Sequence, residues 1–182
     1  MRNFHDTEGG ALACLAKEHL EGALVLDAAQ AKRGKILFRP TLFLAGQGLE
    51  LILKGCTVWN GGTINTSGRR GHALIEMWGS DACEPVRGHV FVNATRVAAE
   101  DRNSGKYPDS VAEEDVLTTM DQMVRDLADL HGMPKVYPLR YPADPEMLAP
   151  RTPFLVKTLW ATADDFVKRP SDFKLEVFHG RA

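Results

Sequence analysis

The chain has 182 residues, of which 44% are apolar, 25% charged and 8% aromatic, a make-up that excludes a disordered polyelectrolyte and a low-complexity chain. Twenty-two Lys and Arg against 24 Asp and Glu leave a net charge of −2, so no global positive field draws the protein to nucleic acid or to a membrane surface. Cys14, Cys56 and Cys83 are widely spaced and odd in number; they suit neither a disulfide framework nor a thiolate metal site and are expected as free thiols.

The segment MRNFHDTEGG carries acids and glycines where a signal sequence needs an apolar stretch, and no run approaches the roughly 20 apolar residues of a membrane span. A cytoplasmic location without membrane contact is therefore expected. From Ala11 to about Lys32 the spacing of Leu12, Leu15, Ala16, Leu20, Ala23 and Leu24 predicts a helix, with Gly34 just past its end. Pro40 opens a second helix, TLFLAGQGLELILKGCTVW, which is apolar almost all round and so reads as central. Gly48 and Gly55 lie on one face of it. Each costs roughly 0.8–1 kcal/mol of helix propensity relative to Ala, which predicts another helix packed close to the backbone there.

Residues 60–71, NGGTINTSGRRG, form a glycine-rich loop, and a short helix is expected from about His72 to Gly79. In PVRGHVFVNATRVAAEDR the run Val90-Phe91-Val92 favours a strand, but Pro85 at the start and apolar spacing at 86, 90, 94 and 97 favour a helix, the reading adopted here. Asp109 or Ser110 is the expected cap of the next helix, with Glu113, Glu114 and Asp115 complementing its dipole. Its apolar face reads Val116, Leu117, Met120, Met123, Val124, Leu127 and Leu130, and Gly132 ends it.

Seven of the ten prolines follow that glycine, so MPKVYPLRYPADPEMLAPRTP is expected as an extended strap. Thr152 as N-cap and Pro153 at the first helical position then begin a helix to Arg169, with Leu155, Leu159, Ala163, Phe166 and Val167 on its buried face. Residues 132–182 offer one strong helix and too few apolar positions for a core of their own. The expected architecture is an all-α bundle of four or five helices over residues 1–131, with the strap and last helix docked on it.

Three constellations could carry chemistry. Gln47, Glu50 and Lys54 fall on one face of the apolar second helix, where a buried carboxylate and ammonium require a network or a ligand. Ser67-Gly68-Arg69-Arg70-Gly71-His72 sets two guanidiniums and flexible amides just before a short helix, a setting that suits phosphate. Arg125 and His131 are separated by five residues, a pair able to stabilise a phosphoryl transition state and move a proton. His5, His19, His89 and His179 show no metal-ligand spacing, and neither metal nor cofactor is expected.

Taken in order, FLAGQGLELILKG (43–55), Gly71-His72 followed by Ala73-Leu74, and KYPDSVAEEDV (106–116) resemble the HEPN (higher eukaryotes and prokaryotes nucleotide-binding) family over about residues 11–131. The family's Gln, Glu and Lys positions fall on Gln47, Glu50 and Lys54. Its His-Asp-Leu turn falls on His72, Ala73 and Leu74, and its Arg-Tyr-Pro-Asp turn on Lys106, Tyr107, Pro108 and Asp109. Ala73 thus replaces an acid and Lys106 an Arg. The resemblance implies a four- or five-helix bundle, often dimeric, linked to nucleotide binding and to small nucleotidyltransferase partners. In other branches it implies RNA cleavage by an Arg and His pair.

The leading expectation is a non-catalytic homodimer that binds a nucleotide or another phosphate ligand through Gln47, Glu50, Lys54, Arg69, Arg70 and His72. Its rivals are a metal-independent endoribonuclease of toxin type using Arg125 and His131, and a structural interaction module without a small-molecule site.

Overall fold

Two long helices lie side by side as the spine of the molecule: α1, Glu8–Arg33, and α2, Phe38–Trp59. The computed structural model describes residues 3–64, 72–105, 111–132, 138–139 and 149–175. Glycine sets how near the two helices come. A Cβ on Gly48 would stand 2.5 Å from Leu20 Cγ, and one on Gly55 would stand 3.1 Å from the Gly9 carbonyl. The close approach expected at Gly48 and Gly55 is therefore made by α1. That nearness also decides which α1 residues are buried. The stripe is Ala13, Ala16, Leu20 and Ala23, mostly small and three of them expected, with Leu12 and Leu24 half-buried beside it, whereas Leu15 is 41% exposed, so the buried face is turned only slightly from the one its leucines suggest.

Helix α3, Leu74–Trp78, is a single short turn of chain that leads into α4, Glu84–Ser104. The β-branched run did not make a strand. Val86, Val90, Ala94, Val97 and Ala98 are buried at helical spacing while Val92 is exposed, because the 3.6-residue apolar period outweighs local β preference. Helix α5 spans Val116–Gly132. The three acids before it, Glu113–Asp115, occupy a 3₁₀ turn, and the expected caps Asp109 and Ser110 lie outside the described residues. Its inner face is the expected one except that Leu117 is exposed.

Helix α6, Thr152–Lys168, has Arg151 rather than Thr152 in the capping position, with no side-chain cap bond. It packs against α1, α2 and α4, burying Phe154, Leu155, Val156, Leu159, Ala163 and Phe166. The chain then turns through Pro170–Phe173 and fastens to the end of α2. Trp59 Nε1 donates to the Pro170 carbonyl at 2.8 Å and Asn60 Nδ2 to that of Phe173 at 2.9 Å. The Phe173 ring stacks on both Phe166 and His89. Most of the proline-rich strap lies outside the described residues. Among the described residues there are six α-helices and no strand, an all-α bundle, and no helix is long and apolar enough to cross a membrane. The three cysteines are free.

Candidate functional site

Glu50 sits on the inward face of α2 between the ends of two other elements, and it is 3% exposed. A carboxylate so placed requires donors, since desolvating its charge without partners costs several kcal/mol. Three side chains supply them. Lys54, one turn along α2, donates from Nζ to Oε1 at 2.6 Å. His131, at the end of α5, reaches Oε2 from Nε2 at 2.9 Å. His72, just before α3, lies with Nδ1 3.1 and 3.0 Å from the two oxygens. Burial by itself would push the Glu50 carboxyl up, but hydrogen bonds from His131, Lys54 and His72 outweigh it and hold the group down at about 2.

The hydrogens on the two imidazoles follow from their partners. An ionised carboxylate only accepts, so His72 donates from Nδ1 and His131 from Nε2. The remaining nitrogen of His131, Nδ1, is buried and has no hydrogen-bond partner among the described residues. A hydrogen there would be an unsatisfied buried donor, which agrees with its placement on Nε2. His131 can reach Glu50 because Gly46, one turn before it, has no side chain. A Cβ at Gly46 would stand 2.5 Å from His131 Nδ1. Gly132 serves the same purpose on the other side, since a Cβ there would stand 2.8 Å from the His72 carbonyl oxygen.

Of the four polar groups, Glu50, Lys54 and His131 are buried and only the His72 side chain, 36% exposed, meets solvent. With Nδ1 turned to Glu50, its Nε2 is directed away from the carboxylate. His72 lines a groove of about 340 Å³ between the α3 segment and the last turn of α5, with Ala73, Leu74, Ile75, Glu76, Ala128, Asp129 and Gly132. The groove is small but within reach of a phosphate group or part of a nucleotide.

The structure thus brings together Glu50, Lys54 and His72 from one expected constellation and His131 from another. Gln47 is half-buried one turn earlier on α2. Arg69 and Arg70 lie outside the described residues, three and two positions before His72. Arg125 is not part of the cluster. It is exposed on α5 and pairs with Asp121 at 2.8 Å, and Asp121 also accepts from Trp78 Nε1 at 3.0 Å, so the guanidinium helps tie α5 to α3. The role of His131 as a partner of Glu50 was missed at the level of sequence; the available signal was Gly46, a gap one turn from a buried acid.

No family model, no curated protein and no solved structure matches the chain.

Proposed function

We propose that the chain is an HEPN-like, non-catalytic helical protein that binds a phosphate-bearing ligand, a nucleotide in the first instance, at the groove beside His72. It acts as a homodimer or with a nucleotidyltransferase-type partner. The observation that carries the reading is the orientation of His72. Glu50 holds its Nδ1, Lys54 and His131 complete the carboxylate's coordination, and the half-exposed ring lines the groove. A protonated His72 offers a phosphoryl oxygen a charge-assisted donor there. Glu76 and Asp129 in the walls oppose a bare anion, so the attraction rests on His72 with Arg69 and Arg70, three and two positions before it in the chain.

Titration with ATP, GTP and inorganic phosphate in excess EDTA tests the binding. Arg70→Ala and His72→Gln are each expected to weaken it about tenfold, the equivalent of one charge-assisted hydrogen bond. Glu76→Gln is expected to tighten it. Isotherms identical to wild type in Arg70→Ala and His72→Gln, at preserved melting temperature, would remove the proposal. Light scattering tests assembly, with twice the 20.1 kDa chain mass expected for the protein alone.

The geometry lends the ribonuclease alternative no support. Arg125 is exposed and engaged with Asp121, whereas His131 is buried beneath the groove. RNA incubated with the wild type in EDTA is expected to stay intact, and its cleavage, lost in Arg125→Ala, would reverse this preference.

A further inference from the structure

Two imidazole nitrogens and one carboxylate oxygen converge beneath the groove, each from a different part of the chain. We propose that Glu50 Oε2, His72 Nδ1 and His131 Nε2 form a binding site for one divalent transition-metal ion of the zinc class. The ligand atoms these residues offer all lie within 4.8 Å of one another. Oε2 is 3.0 Å from His72 Nδ1 and 2.9 Å from His131 Nε2. A tetrahedral ion with bonds of 2.0–2.2 Å sets neighbouring donors about 3.3–3.6 Å apart. Each oxygen–nitrogen distance needs to open by a few tenths of an ångström, and the two nitrogens already stand within 4.8 Å of each other. Two imidazoles and a carboxylate with a fourth position open to a groove are a ligand set that zinc accepts.

The described wall of the groove is acidic, which offsets the nearby Lys54 ammonium. Among the described residues, those lining the groove include Glu76 and Asp129 and neither Lys nor Arg. Lys54 holds Oε1 at 2.6 Å, which commits Glu50 to ligation through Oε2 alone and supplies the carboxylate with an outer partner. The elements are also pre-positioned. Gly46 and Gly132 let α5 and the His72 segment approach without side chains between them, so little ordering remains for an ion to impose.

The ion takes the place of two hydrogens, and where these go makes the site readable. A His72 with one ring hydrogen moves it from Nδ1 to Nε2, and one with two releases the Nδ1 hydrogen to solvent and keeps the other. His131 moves its hydrogen from Nε2 to Nδ1, where no described residue accepts it. Lack of that outer partner weakens the site by about 10- to 100-fold relative to one whose histidines are both supported. The site shares His72 with the phosphate reading but does not depend on it, because the ion takes Nδ1 and leaves Nε2 unligated.

The full chain, stripped with EDTA and exchanged into nucleotide-free buffer, is titrated with Co²⁺ and then challenged with Zn²⁺. One Co²⁺ per chain with visible d–d absorption is expected, displaced by Zn²⁺ and weakened at least tenfold in His72→Asn. That variant alters a half-exposed residue and leaves Glu50 with Lys54 and His131. Imidazole ¹⁵N spectra are expected to show His131 changing from the Nε2–H to the Nδ1–H form on zinc loading, a change that a purely structural histidine does not make. Failure of the folded wild type to take up Co²⁺ stoichiometrically, equal affinity in His72→Asn, or an unchanged His131 tautomer at zinc saturation would each overturn the proposal. Phosphate binding, measured separately in EDTA, stands or falls independently of these outcomes.

Discussion

Glu50 concentrates more energy than any other single side chain of the site, because removing it leaves Lys54 and His131 buried with nothing to accept from them. Glu50→Ala is expected to cost about 3–5 kcal/mol in denaturant unfolding, the range for breaking a buried pair by deleting one partner. Its titration gives the acid limb of the stability profile a definite sign. The folded-state carboxyl titrates at about 2, below the ordinary 4.5. The associated stability, on the order of 3 kcal/mol, is fully present above the ordinary value and lost as pH falls through about 2. Asp121 and Asp164 are also held low, chiefly against burial, by hydrogen bonds from Trp78 and Arg125 and from Lys168 and Lys17, so the wild-type curve alone does not isolate Glu50. The gap between wild type and Glu50→Gln does, and it is expected to close over that window. Two glycines give a paired control at the same scale. Gly46→Ala drives a methyl into His131 and is expected to cost about 1–3 kcal/mol. Gly88→Ala, in the interior of α4 with nothing within 4 Å of the new methyl, is expected to stabilise by about 0.5–1 kcal/mol. Thermal melts of the two variants move in opposite directions if the site's close packing is as described.

At the scale of elements, period proved more informative than propensity. Helix α4 was legible from the spacing of Val86, Val90, Ala94 and Val97 despite three strand-favouring residues in a row, since burial of one face decides what local preference leaves open. The glycines of α2 were legible as contact points but not their partners. The α1 face was legible through Ala16, Leu20 and Ala23, but not that a closely packed neighbour would bury Ala13 and leave Leu15 outside. The site shows the same division. Gln47, Glu50 and Lys54 announce a polar stripe because helical spacing is local, whereas the arrival of His131 from 81 positions further along the sequence depends on how α5 docks. Arg125 shows the converse: its spacing to His131 suggested chemistry, and the fold gave it Asp121 instead. The turn after α6 was not legible at all. Its attachment rests on Asn60 and Trp59 meeting carbonyls of Phe173 and Pro170, bonds with no sequence period. Phe173→Ala is expected to cost about 3–5 kcal/mol by removing a fully buried ring between His89 and Phe166.

For the whole molecule, the question is whether the helices before the strap can stand without those after it. Helix α6 is placed inside the packing rather than over it, touching α1, α2 and α4. Between them, Phe154, Leu155, Val156, Leu159, Phe166 and Phe173 bury six large apolar side chains. At about 1.5–3 kcal/mol each, their burial stabilises by about 9–18 kcal/mol, an upper range because unfolded chains already hide part of that surface. The net stability of a domain of this size is about 5–15 kcal/mol, so the loss is comparable with everything available. Removal would also uncover Phe4, whose ring lies 5.4 Å from that of Phe166. A chain ending at Gly132 is therefore expected to show no cooperative thermal transition and a collapsed amide spectrum, even though it retains Glu50, Lys54, His72 and His131. A sharp melt with dispersed resonances from that shortened chain would mean that α1 to α5 close on one another without α6, and that the core had been drawn too wide.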